Sequence, residues 1–134
     1  GTFKSDEENE KIPERKKRHF YMKKYFFDII KRANKQNKKK LPRIFVFHYP
    51  PYGVFDIIRD KKNPMDKESA GVKFYAEAIK KYKPMAVFCG HMEEYQGMKK
   101  LQGIPVVNPG GAEDGKYAIV EINDKGKVKV KFVK

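Results

Sequence analysis

Two histidines stand at positions where side chains of this type do chemistry. His48 opens the stretch His48-Tyr49-Pro50-Pro51-Tyr52-Gly53, and His91 lies in Cys89-Gly90-His91-Met92-Glu93. Imidazole changes charge near neutral pH and is the commonest metal ligand, so two of them brought to one point form a metal site or an acid–base pair. Glu93 and Glu94 follow closely. A carboxylate beside two imidazoles makes a three-donor set with open positions. Pro50 and Pro51 stiffen the loop after His48, and Gly90 allows close backbone approach just before His91. His19, among Lys17 and Arg18, reads instead as a solvent-facing member of a basic helix.

The elements that would position these residues alternate between strand and helix. Ile44–Phe47 is a short, continuous, β-rich apolar run after Pro42, and reads as a strand buried on both faces of a parallel sheet. Residues 54–67 read as irregular, with a turn at Asn63-Pro64. Asp66 is then placed to cap a helix over about 68–82, whose apolar face is Val72, Tyr75, Ala76 and Ile79 and which Pro84 ends. Met85–Cys89 is a second buried strand, so the three elements form a right-handed βαβ unit. Both histidines then fall at the carboxyl ends of adjacent parallel strands, the edge where α/β sheets bind ligands. Beyond them a loop runs through Gly97 and Gly103 to a strand at 104–107, and Asn108–Gly111 turns back toward the same edge. A hairpin closes the chain, Tyr117–Ile122 and Lys127–Val133, with Lys127, Lys129 and Lys131 on its water face. Upstream, Met22, Phe26, Ile29 and Ala33 recur at helical spacing within residues 20–33, with Tyr25 and Ile30 beside them and Lys23, Lys24, Lys31 and Arg32 opposite, which reads as an amphipathic helix starting near Ile12–Glu14.

Composition bounds the rest. The chain has 134 residues, of which 31 are Lys or Arg and 17 Asp or Glu, giving a net charge of +14. That length is one domain or part of one. Residues 11–40 carry thirteen Lys or Arg against Glu14 and Asp28, while residues 1–10 are acidic. The basic block reads either as a phosphate-contacting surface or as a solvated helix face in a lysine-rich chain. No zinc-finger spacing or Gly-rich phosphate loop accompanies it. The longest apolar runs are far shorter than the roughly 20 residues of a membrane span, and no apolar signal core follows the first residues. A single cysteine, Cys89, leaves no intrachain disulfide, so the expected address is a reducing one, the cytoplasm.

The blocks Phe47-His48-Tyr49-Pro50-Pro51-Tyr52-Gly53, Cys89-Gly90-His91-Met92-Glu93 and Val106-Val107-Asn108-Pro109-Gly110-Gly111 resemble, in order and spacing, the C-terminal half of calcineurin-like metallophosphoesterases. Gly115–Ile122 resembles their closing strand, particularly in small archaeal members. The resemblance implies the C-terminal half of an α/β/β/α sandwich: a βαβ unit, then short strands and a C-terminal hairpin. It makes residues 1–134 one partial domain, with a polar segment and basic helix over 1–40 and the strand–helix–strand core over 41–134. It implies a two-metal phosphoesterase site for Mn, Mg, Zn or Fe, in which His48 and His91 bind one ion. Glu93 stands where the family has the second histidine of Gly-His-x-His, and a carboxylate there is a harder ligand. The Asp-x-His, Gly-Asp-x-x-Asp and Gly-Asn-His motifs of the family's first half do not occur in this sequence. The expectation is therefore an incomplete metal site, hydrolysing phosphate mono- or diesters only with a partner chain or segment that supplies the missing half, and an uncovered strand edge where that half would pack. The other readings are a non-catalytic partner-binding or regulatory relative and a basic nucleic-acid-binding module.

Overall fold

The computed structural model describes residues 13–134; the acidic opening segment lies outside the described residues. The chain divides into two compact units at Leu41/Pro42.

The first unit is built on one long helix, α1 (Pro13–Gln36). Its opening suits the helix dipole, with Pro13 first and Glu14 in the first turn, and Lys35 sits in the last turn. Asn37 stitches the exit, its side-chain amide donating to the Leu41 carbonyl at 2.8 Å and its Oδ1 accepting from the Leu41 N–H. The expected apolar stripe is split. Ile30 is buried and Phe26 half-buried, whereas Met22, Tyr25 and Ile29 are exposed. His19, expected in solvent, is half-buried.

The second unit carries a four-stranded sheet in the order β1-β2-β4-β3, with β1 at Ile44–Val46, β2 at Ala86–Phe88, β3 at Gly97–Leu101 and β4 at Ile104–Asn108. β1 and β2 are parallel with Phe45 opposite Val87, and β2 and β4 are parallel with Val87 opposite Val106. These three share one face, which α2 (Lys73–Tyr82) covers through Ile79 in a cluster with Val54, Phe55 and Cys89. A separate hairpin, β5 (Tyr117–Ile122) with β6 (Val128–Val133), follows. Its register pairs Ala118 with Phe132 and Val120 with Val130 on the less exposed face, and puts Lys129 and Lys131 in water. The α/β architecture and the closing hairpin are those expected from the sequence.

Three details differ. β1 is not buried on both faces, because it is the edge strand: Ile44 is 47% and Val46 76% exposed on the face away from α2. Among the described residues no strand pairs with its outer edge. The helix begins at Lys73 rather than 68, after Val72, which makes no side-chain cap. Residues 69–72 are held extended by bridges from Ser69 to Ile57 and from Val72 to Pro51, and the Asp66 carboxylate accepts from the Asp60 N–H at 3.0 Å instead of capping a helix. The supposed loop at 97–103 contains β3, antiparallel to β4. Its Met98, Lys99 and Lys100 are all exposed, so no alternation marked it.

Candidate functional site

Backbone pairing sets the two histidines side by side. The β1–β2 ladder runs on past its strands: the Phe47 N–H donates to the Phe88 carbonyl at 2.8 Å, and the Gly90 N–H to the His48 carbonyl at 3.1 Å. One residue further, the chain turns at His91, whose φ of 64° is left-handed. The result is a distance of 3.2 Å between His48 Nε2 and His91 Nδ1, with ring centroids 5.1 Å apart.

The nitrogens sit close enough for one N–H to donate to the other ring's lone pair. They also fit a shared cation. Two nitrogens bound at about 2.0–2.1 Å to one tetrahedral ion stand roughly 3.4 Å apart, close to the separation here. Two imidazoles are a fit for part of a coordination sphere, not for the whole of it. The groups around His91 favour its neutral, ligating form. Partial burial is the largest influence lowering its pKa below 6.5, and neighbouring His48 adds to it, against an opposite pull from Glu94 and Glu93.

Glu93 is exposed and extends toward Gly111, where a Cβ would meet its Oε2 at 3.4 Å. Among the described residues no three His, Cys, Asp or Glu side chains form a metal-holding group. The structure thus brings His48 and His91 together and leaves Glu93 outside such a cluster.

Two supports were not assigned in the sequence. Tyr49 forms an aromatic wall, its ring centroid 4.4 Å from that of His91 and 4.7 Å from that of His48. Asn108, wholly buried at the end of β4, holds the loop that carries His91: its Nδ2 donates to the Met92 carbonyl at 3.0 Å, and its Oδ1 accepts from the Gly110 N–H at 3.0 Å. A polar residue closing an apolar strand before Pro-Gly-Gly was the available signal. The loop after His48 has its own clamp. Buried Asp56 accepts from the Gly53 N–H at 2.9 Å and from the Ser69 hydroxyl. Gly71 lies so close that a Cβ would come within 2.5 Å of Tyr52 Cα.

Comparison with known proteins bears on the family of the chain. One solved crystal structure matches with a TM-score of 0.56 and 27% identity, covering 81% of this chain and 39% of its own. A second, of TT1561 from Thermus thermophilus, is 25% identical over 69% of this chain and 35% of its own, with a TM-score of 0.40. The chain thus spans about two fifths or less of these solved chains. No curated protein matches. Residues 4–133 match the family described as metallophosphoesterase, calcineurin superfamily. A match over nearly the whole chain, together with paired histidines at adjacent strand ends, places this protein among the metallophosphoesterases of the calcineurin superfamily.

Proposed function

We propose that this chain is the histidine-bearing C-terminal portion of a metal-dependent phosphoesterase that hydrolyses phosphate mono- or diesters, and that it works with a further segment or chain supplying the remaining ligands. The observation that carries the reading is the 3.2 Å approach of His48 Nε2 and His91 Nδ1. His48 and His91 would hold one divalent cation, and Glu93, outside any three-ligand cluster among the described residues, would contribute only by swinging its exposed side chain in from the same loop. Such a cation supplies Lewis acidity toward a phosphoryl oxygen and makes water more acidic. The chain's own residues do the positioning. The strand ladder fixes both rings, Asn108 braces the His91 loop, and Tyr49 covers one side of the pair.

Ligand count supports the dependence on a further segment. A two-metal phosphoesterase holds its ions about 3.5–4 Å apart to clamp the attacking and leaving oxygens. Two imidazoles and one carboxylate are too few donors to hold two ions, and the sequence has no Asp-x-His, Gly-Asp-x-x-Asp or Gly-Asn-His.

The test is calorimetric titration with Mn²⁺ and Zn²⁺, run beside turnover of a chromogenic phosphate ester. The chain alone should bind one ion weakly and turn over little ester. His48→Ala and His91→Ala should each abolish binding, Glu93→Ala should weaken it, and His19→Ala should leave it intact. Metal-dependent hydrolysis that survives both histidine substitutions would overturn the reading.

A further inference from the structure

The exposed side of α1 combines features that the metal site does not use. The helix carries nine Lys or Arg against Glu14 and Asp28. Tyr21 is 56% and Tyr25 64% exposed, and both line a shallow depression with Glu14, Lys17, Arg18 and Met22. At about 100° per residue, Tyr21, Tyr25 and Ile29 span an arc of roughly 80°, and Arg18 and Arg32 fall inside it. Two aromatic rings one turn apart, with guanidinium groups between and beside them, therefore face outward together. Lys17, Lys24 and Lys35 flank the arc and are exposed.

We propose that this face of α1 binds single-stranded nucleic acid, with Tyr21 and Tyr25 stacking on bases and Arg18, Arg32 and the flanking lysines contacting phosphates. Charge complementarity selects a polyanion, since Arg18, Arg32, Lys17, Lys24 and Lys35 outnumber the two acids that share this face, Glu14 inside the arc and Asp28 beside it. The exposed rings select one that offers flat aromatic surfaces, which a single strand presents and a closed duplex stacks away. An anionic membrane fits less well. An interfacial helix segregates its apolar face from its charges, and seating Tyr21, Tyr25 and Ile29 in lipid would take Arg18 and Arg32 in with them.

The experiment is fluorescence anisotropy of a labelled oligothymidylate of roughly 12 nucleotides, in the range of single-strand site sizes, titrated with the full chain at several salt concentrations. The double variant Tyr21→Gln/Tyr25→Gln should bind about tenfold or more weakly, consistent with the loss of base stacking, and Tyr21→Phe/Tyr25→Phe should bind like the parent. Glutamine is a good helix former, so the first variant keeps α1. Arg18→Gln/Arg32→Gln should flatten the slope of log affinity against log salt by about 1.4, or 0.7 for each phosphate no longer neutralised. His48→Ala should leave oligonucleotide binding unchanged, so failure here is separable from failure of the metal-site reading. No binding, equal binding by the glutamine variant, preference for the matching duplex, or binding only to vesicles of anionic phospholipid would each overturn the proposal.

Discussion

Replacing Asn108 by alanine removes a brace between β4 and the loop that carries His91. Both side-chain hydrogen bonds go, the one to the Met92 carbonyl and the one from the Gly110 N–H. The two losses are unequal. The Met92 carbonyl keeps the Tyr95 N–H at 3.1 Å, so it loses one of two partners, at about 1 kcal/mol. The Gly110 N–H loses its side-chain acceptor in a half-buried turn, worth about 1–3 kcal/mol. Together the substitution should cost roughly 2–4 kcal/mol. With a urea slope of about 2 kcal/mol/M, the middle of the usual range, the unfolding midpoint should fall by about 1–2 M. Circular dichroism against urea measures this directly. Because Met92 adjoins His91, the same variant, titrated with Zn²⁺ under folded conditions, should bind about tenfold more weakly, the lower end of what supporting groups contribute to metal sites. An unchanged midpoint together with unchanged Zn²⁺ affinity would refute the idea that Asn108 holds the histidine loop.

The pKa of His91 is lowered below 6.5, chiefly by partial burial, so its NMR titration midpoint should lie below that value, and a midpoint at or above it would contradict the geometry. A folded-state pKa below the unfolded one means that its contribution to stability is fully present above about pH 6.5 and is lost as pH falls through the folded value. Cys89 is buried, and burial pushes its thiol up to about 12; at pH 8 the thiolate fraction is on the order of 10⁻⁴. Iodoacetamide should therefore label it only as fast as the chain unfolds, which mass spectrometry would follow. Gly71→Ala sets a Cβ 2.5 Å from Tyr52 Cα and 2.9 Å from the Asp56 side chain. It should destabilise by about 1–3 kcal/mol in urea melts, with a stable variant showing that the 50–72 loop relaxes freely.

Short apolar runs between Pro and Gly made the strands legible, and the chain spacing between Ile44–Phe47 and Met85–Cys89 made their parallel pairing legible as well. Histidines at the ends of two neighbouring parallel strands must share an edge, so their juxtaposition followed from topology. What stayed hidden depends on neighbours rather than on local pattern. β3 carries Lys99 and Lys100 on an exposed edge, where its pairing rests on backbone bonds to β4 that no side-chain period announces. Residues 69–72 read as helix by periodicity, yet bridges to Pro51 and Ile57 hold them extended, tertiary pairing overriding local preference. Ile44 and Val46 read as core because they are apolar, but burial at a strand depends on what lies over it. Asn108 looked like a turn residue, and its role as a brace appears only once the Met92 carbonyl is placed opposite it.

The left-handed backbone at His91 has a consequence for how this chain tolerates change. A side chain held there costs on the order of 1 kcal/mol that glycine avoids. Selection for thermal robustness alone would favour glycine at this turn, a replacement that leaves the ladder from Gly90 to His48 intact. On the proposed metal-binding role, the imidazole here sets stability against function, and heat-hardened descendants of this chain released from that role would be expected to lose the ring early while keeping the fold.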